Sequence, residues 1–446
     1  MNSFLRLICL IGTFTALSDA FIIRDGAVRL SLTQNTIPRL PSYSTTRERC
    51  KRKHRHQHQQ ETQTLFSSSS QIDEQIKLNN VKPRTGIAQS LLDFALSSPL
   101  WKLVLVPQAR KNIVKTAQEN GIKWTDAYTW FIRQEGPWKN DEIPNNDYIE
   151  GGEYPEFFTK EFHAYAEGNL CWESAIEQEI ASRAVGARNF PSYGYNGEDA
   201  FREAFESALL SLGAAVPQNG VVVDLGCGTG TSTRRLASSF PQAEKVTGID
   251  LSPYFIEVGK FLLKNAPKGQ NEGGPWVTTI ENDRRVELCV GNAQSTGLQD
   301  KSVDVVNLGL VIHELPMSIT CQIIEEALRI LKPNGQLWVS EMDYDSPAFA
   351  EQRSNALLFS LIRSTEPYLD EYADGFPEIL NCLVKNFQSV KITAATGRHF
   401  ALIATKGDDN GTNQTDKCIF EDKRFDKDGK YVVDDTHLKT WETKKK

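Results

Sequence analysis

The sequence has no CxxC pair, no Gly-Lys-Ser/Thr phosphate loop and, one candidate stretch at the extreme N-terminus aside, no apolar run of the ~18 residues that a membrane-spanning helix needs. These absences exclude a membrane-helix bundle, a paired-cysteine metal site and a Walker-type nucleotide site. The eight cysteines (Cys9, Cys50, Cys171, Cys227, Cys289, Cys321, Cys382 and Cys418) are dispersed without metal-ligand spacing. In a chain long enough to bury a core they read as reduced, mostly buried thiols. Excess positive charge is missing too: 446 residues carry 50 Lys+Arg against 57 Asp+Glu, a net −7. Residues 1–60 hold ten basic and three acidic residues, leaving 40 against 54, or −14, for the rest. Such a body repels a phosphate backbone, which argues against nucleic acid as a partner. At 40% hydrophobic and 24% charged, the composition is that of a soluble globular protein.

Residues 1–6 form a short n-region with one positive charge, and 7–17 an apolar stretch of signal-peptide length. Ser18-Asp19-Ala20 then puts small residues at the −3 and −1 positions of a cleavage site. From there to about residue 60 the chain is rich in Ser, Thr and Arg and poor in acids, as transit peptides are. With Phe21 just after the cleavage point, the segment resembles the bipartite presequence of algae with secondary plastids, and the expected location is the plastid. The alternative is a plain secretory signal, which would make Asn410 and Asn413 glycosylation candidates. The cluster at 51–55 reads as transit-peptide charge, and His54, His56 and His58 as solvated side chains. Residues 61–85 are a linker.

Residues 86–200 read as a helical extension. Leu91, Leu92, Phe94 and Ala95 make one apolar face, and further short helices are expected at 112–119, 127–133 and 157–166. Five of the eight tryptophans (Trp101, Trp124, Trp130, Trp138 and Trp172) fall here and suit a core or an interface. Peripheral membrane contact through 91–105 is the competing use of that stretch. No chemistry follows from the pattern.

The chemistry begins at Val221-Val222-Val223, a β-branched run typical of a buried parallel strand, which ends in Asp224-Leu225-Gly226-Cys227-Gly228-Thr229-Gly230 before a helix over 231–240. Glycines let a backbone turn sharply and approach a ligand at a helix N-terminus. The spacing is GxGxG; a dinucleotide fingerprint needs Gly at 231, where Thr231 stands. A second strand, 246–249, ends in Asp250, about twenty residues past the turn, where an acid can accept from a ribose diol. Capping the next helix is the plainer role for it. Strands at 286–290, 303–308 and 337–340 continue the alternation, with a helix at 319–331 and the turn Lys332-Pro333-Asn334-Gly335. The pattern predicts an open, mostly parallel sheet with helices on both faces, and ligands beyond its carboxyl ends. Asp224, Asp250, Asn292, the stretch 309–313 and the stretch 341–344 all fall there.

Residues 223–230, Gly248-Ile249-Asp250-Leu251-Ser252, Gly291-Asn292-Ala293 and Leu331-Lys332-Pro333-Asn334-Gly335 resemble the successive motifs of class I S-adenosylmethionine-dependent methyltransferases, type 11 group. The resemblance covers roughly 201–406 and implies an α/β Rossmann-like fold with a mostly parallel seven-stranded sheet, its terminal hairpin at 390–395 and 400–405. Glu161-Phe162-His163-Ala164-Tyr165 is similar to plastid-predicted methyltransferases of plants and algae. The implied cofactor is S-adenosylmethionine. Asp224 and the turn with Gly226, Cys227, Gly228 and Gly230 would hold its methionine part, Asp250 its ribose, Leu251, Asn292 and Ala293 its adenine, with Leu310 also against it. Asn292 stands where the commoner pattern has Asp, though an amide oxygen can still accept.

Transfer from a sulfonium is an in-line displacement, so the protein mainly aligns and dries the site. His313 is the candidate general base, or a helix-start histidine without a catalytic role; Glu314, Glu341 and Asp343 rank below it. His163 and Tyr165 are candidates to close over the site. Asn307 is followed by Leu-Gly-Leu rather than Pro-Pro-aromatic, and no Pro-Cys pair occurs, which points to a small-molecule acceptor. Residues 346–375 read as a helical lid, with core packing as the alternative. The tail from 407 is polar, and Asp426-Lys427-Asp428-Gly429 is a solvated turn rather than a calcium loop. A cofactor-binding protein without turnover is the rival reading, and a nucleotide-dependent oxidoreductase is disfavoured by the glycine spacing.

Overall fold

The computed structural model describes residues 106–140, 144, 154–163, 165–265, 283–354, 359, 362, 365–408 and 418–432. The chain divides into two units, Met1–Glu74 and Gln75–Lys446, and the described residues all belong to the second. The presequence, the 61–85 linker, the helix expected at 91–95, Trp101, the 91–105 stretch and both glycosylation candidates lie outside the described residues.

Helices α1 (Val106–Glu119), α2 (Trp124–Arg133), α3 (Trp172–Asn189) and α4 (Gly197–Leu212) come first. They precede β1 (Gly220–Leu225), α5 (Thr231–Ser239), β2 (Ala243–Asp250), α6 (Pro253–Asn265), β3 (Val286–Val290) and β4 (Val303–Gly309). Next are α7 (Met317–Ile330), β5 (Leu331–Met342), α8 (Pro347–Ser354), α9 (Leu369–Asn386), β6 (Ser389–Ala394), β7 (His399–Thr405) and β8 (Ile419–Asp422). The strands form one sheet in the order β3-β2-β1-β4-β5-β7-β6-β8.

Side chains alternate across a strand, so β1 and its neighbours feed two cores. Val223, Leu225, Val306, Leu308 and Val339 face α7 and α9, while Val222, Val246, Val305 and Trp338 face α4 and α5. Each fully buried aliphatic or aromatic side chain contributes about 1.5–3 kcal/mol of hydrophobic stabilisation. A third core packs Trp124, Phe131, Trp138, Trp172, Ile176 and Ile180 of the helical extension against Phe255, Val258 and Leu262 of α6. The tryptophans thus join extension to sheet domain.

The seven-stranded, mostly parallel expectation needs correcting, because the sheet has eight strands and is mixed. β7 runs antiparallel to both β5 and β6, as the expected hairpin requires, and β8 adds parallel to β6. Strand β8 comes from the polar tail: Ile419 N–H donates to Gln388 O, and Lys423 N–H to Ile392 O. Four residues at a half-exposed edge carry no alternation to read.

The cysteine expectation is also corrected. Cys321 of α7 and Cys382 of α9 are disulfide-bonded, 6.0 Å apart at Cα and 61 residues apart in sequence. Of the free cysteines among the described residues, Cys227 is buried, while Cys171, Cys289 and Cys418 are half-buried. Among the described residues, no helix is long and apolar enough to cross a membrane.

Candidate functional site

The strand order reverses between β1 and β4, a switch point of the kind beyond whose carboxyl ends open α/β sheets bind ligands. The glycine turn lies there. Its glycines sit in the left-handed region, with φ of +70° at Gly226, +56° at Gly228 and +83° at Gly230. Gly226 and Cys227 donate to Ile249 O, clamping the turn onto β2. A Cβ on Gly226 would meet Val311 at 2.8 Å, so the turn also abuts the segment after β4.

Asp224 lies beneath the turn, 1% exposed, accepting from Ser232 Oγ (2.6 Å), Thr233 Oγ1 (2.7 Å) and Asn307 Nδ2 (2.7 Å). Burial raises its pKa while the three donors oppose that. Its oxygens are occupied by the chain's own donors, so its part is to brace the turn. Cys227 is buried beside Ile256 and Leu288, and burial keeps its thiol neutral.

Asp250 closes β2 at 9% exposure and accepts from Gly228 N–H at Oδ2 and Ser252 N–H at Oδ1, both at 2.8 Å. Burial raises its pKa to about 6 against those donors. The carboxylate therefore lies directly against the glycine turn. Leu251 is half-buried next to it. Asn292 is half-buried past β3, and its Oδ1 accepts from Gln294 N–H at 2.9 Å; Ala293 packs on the core. Leu310 adopts φ +60°, an unfavourable conformation for leucine, held by its N–H to Ser340 O at 2.8 Å.

One strand further along the rim, His313 sits in the short turn Ile312–Glu314, 8% exposed. Its Nδ1 lies 2.9 Å from Oε1 of Glu341, a fully buried carboxylate at the end of β5, and its Nε2 lies 3.8 Å from Glu314 Oε1. Burial would lower the histidine pKa, but Glu341 and then Glu314 prevail and raise it to about 10. Enclosure lifts Glu314 to about 8 despite His313 beside it. The Glu341 carboxylate beside the ring thus favours its protonated form.

The remaining candidates separate. Asp343 leaves the site: it pairs with buried Arg424 at 2.8 Å and accepts from Tyr431 OH at 2.8 Å, locking the β8 segment to the end of β5. Tyr165 also turns away, donating to Glu177, which pairs with Arg110. His163 approaches instead: its N–H donates to Thr365 O (2.8 Å) and its Nε2 is 4.0 Å from Glu366 Oε1. Of the expected lid, most of 355–364 lies outside the described residues.

Sequence reasoning missed Gln178, Glu179 and Glu366. Glu179 is wholly buried and accepts from Thr231 Oγ1 (2.8 Å) and Arg234 Nη2 (2.7 Å). Burial pushes its pKa up, yet Arg234 and Arg183 hold it at about 2. The buried Oε2 of Glu366 has no hydrogen-bond partner among the described residues. The one signal was composition: α3 carries Glu177, Glu179 and Arg183 on buried faces, so it shows no apolar stripe. Among the described residues, no group of three or more His, Cys, Asp or Glu is placed to hold a metal.

Residues 223–339 match the protein family described as "Methyltransferase domain". Similar curated proteins include a demethylmenaquinone methyltransferase of Lactococcus lactis, 28% identical over 167 residues, covering 35% of this chain and 60% of that protein. An arsenite methyltransferase of Mus musculus is 29% identical over 178 residues, covering 39% and 45%. An uncharacterized 37.1 kDa protein of a Streptomyces fradiae transposon is 28% identical over 192 residues, covering 43% and 47%. The chain thus spans about half the length of the curated relatives it matches. Among solved structures, a SAM-dependent methyltransferase from Aquifex aeolicus aligns at 16% identity and a TM-score of 0.31, over 46% of this chain and 90% of that one.

Proposed function

We propose that the chain, whose residues 223–339 match a methyltransferase domain family, transfers a methyl group from S-adenosylmethionine to a small-molecule acceptor in the plastid. The observation that carries this is the pairing of two stations on one rim. Asp250 lies against Gly228 at one, and the His313–Glu341 pair stands past the neighbouring strands at the other. The residues present fit the cofactor, since the left-handed glycines at 226, 228 and 230 present backbone at the switch point and Asp250 lies directly against Gly228. Asp250 would hold the ribose, the turn the methionine part, and Leu251, Asn292 and Ala293 the adenine, with Leu310 beside it. When bound, the cofactor supplies a methyl group already activated on a sulfonium. The carboxyl groups of Asp224 and Asp250 place negative charge at the cofactor end of the rim, which suits a cationic centre.

His313 takes a different part from the general base expected of it. A base must accept a proton, and the Glu341 carboxylate 2.9 Å from this ring favours the protonated form. We read its Nε2–H as a donor that holds an acceptor oxygen, favouring the anionic form of a phenol or enol. Glu341 supplies the negative charge that faces the ring. Arg398, beside His399 at the start of β7, and Arg188, at the end of α3, extend this end of the rim. His399 pairs with Met342 at the end of β5, and Phe190, next to α3, reaches it through Phe201. Neither arginine side chain has a hydrogen bond or ion pair among the described residues, which suits an acceptor bearing an anionic group.

Incubating the protein with methyl-labelled S-adenosylmethionine and a plastid small-molecule extract tests the reading; a labelled small product is expected. Cofactor binding with no labelled product from any extract would favour the non-enzymatic rival. A fluorescent fusion to residues 1–60 tests the location, with plastid fluorescence expected.

A further inference from the structure

Helix α3 lies outside the segment that matches the methyltransferase family, yet it reaches into the glycine turn. Gln178 Oε1 accepts from Thr229 N–H at 3.3 Å and from Thr229 Oγ1 at 2.5 Å. A backbone N–H can be met only by the amide oxygen, so the orientation of the amide is fixed by its partner. The NH2 group then points over Gly228. A Cβ built there would stand 2.7 Å from Gln178 Nε2, so this donor occupies the space left by the missing side chain. Gln178 is half-buried, and its Nε2 has no hydrogen-bond partner among the described residues.

An amide donor held by its own oxygen, aimed across a glycine turn and left without an acceptor, calls for an acceptor from a ligand. With S-adenosylmethionine bound as proposed, the group lying over this turn is the amino-acid end of the cofactor, which carries one carboxylate. We propose that Gln178 binds that carboxylate through Nε2–H. The helical extension then completes the cofactor site. Glu179, the next residue, anchors α3 to the far side of the same turn through Thr231 and Arg234. The inference rests on the proposed function and adds a binding residue from beyond the matched segment.

Two ligands separate the contact from the rest of the site. S-adenosylhomocysteine carries the amino-acid carboxylate; 5′-methylthioadenosine keeps the nucleoside and the thioether and lacks it. Calorimetry on the full chain is expected to show Gln178→Ala binding S-adenosylhomocysteine about tenfold more weakly, with 5′-methylthioadenosine unchanged. Gln178→Glu retains an oxygen for Thr229 and replaces the donor with negative charge. It should weaken S-adenosylhomocysteine further still, again without touching 5′-methylthioadenosine. If either folded variant changes both ligands equally, or neither, the assignment of Gln178 is overturned while the cofactor reading stands. If the wild-type protein binds neither ligand, the cofactor reading falls and takes this inference with it.

Discussion

The two ends of the rim are built differently. At the β1–β2 end every carboxylate is tied by short hydrogen bonds within the chain: Asp224 to Ser232, Thr233 and Asn307, and Asp250 to Gly228 and Ser252. At the β4–β5 end the charged groups face one another across looser distances. His313 is 2.9 Å from Glu341 and 3.8 Å from Glu314, and Glu366 keeps a buried oxygen without a donor among the described residues. The first end is pre-organised and local. The second is assembled from α7, α9, β5 and the segment before α9, so its geometry depends on long-range packing. A site for an invariant cofactor can be rigid, whereas a site for a particular acceptor is free to be built from whatever the fold brings past the last strands.

The sharpest way to break this comparison is to loosen one end alone. The Cys321–Cys382 bond ties α7, which follows the His313 turn, to α9 and closes a loop of 61 residues. By loop-closure entropy, Cys321→Ser should cost about 4 kcal/mol of stability. A denaturant titration checks this, and cofactor affinity by calorimetry should be unchanged. A matching loss of cofactor affinity would mean that the two ends are one unit.

Glu341→Gln acts on the same end through charge. Removing one partner of a buried pair should cost about 3 kcal/mol. Its pH signature is specific. The folded pKa of His313, about 10, exceeds its ordinary 6.5. The pair's stabilisation is therefore complete below that ordinary value and is lost as pH rises toward 10. Thermal midpoints should fall across this window in the wild type and less in Glu341→Gln. NMR titration of the His313 ring should show it protonated at pH 8 in the wild type. A ring titrating near 6.5 would restore the general-base role.

At the other end, Asp250→Ala should weaken S-adenosylmethionine binding about a hundredfold, near 2.7 kcal/mol, through loss of charged hydrogen bonds. The buried N–H groups of Gly228 and Ser252 lose their acceptor as well, so a thermal melt should show a folded but less stable variant. Unchanged affinity in calorimetry removes the ribose assignment.

The contrast also explains what could be read from residues alone. Asp224 through Gly230 and Asp250 lie on one strand-turn-helix-strand unit, so spacing carries the information; β1 to β5 were legible as β-branched or apolar runs, and β6 and β7 through the family resemblance. The acceptor end has no such local record. Glu341 reaches His313 across 28 positions, and the cofactor end too draws one long-range partner, Gln178, to Thr229 across 51. Helix α3 hides its role because both buried faces carry charge, so it lacks the apolar stripe by which a packed helix announces itself. His313 was visible as an imidazole past β4, but its charge was not, because that depends on Glu341 arriving from the next strand.

The smallest expected effect sharpens the acceptor end itself. If Arg188 and Arg398 receive an anionic group, a carboxylate probe should bind better than its neutral counterpart once the cofactor end is filled. With S-adenosylhomocysteine present, 4-hydroxybenzoate is expected to bind a few-fold more tightly than 4-hydroxybenzyl alcohol. The effect stays modest because both arginines are exposed and water screens them. Arg398→Ala and Arg188→Ala should each erase the preference without moving the alcohol or S-adenosylhomocysteine. Raising the salt concentration should erase it as well, since a screened attraction between exposed charges is all that distinguishes the two probes. Equal binding of both probes by the wild type would leave the His313 donor as the sole group at this end that favours an anionic acceptor.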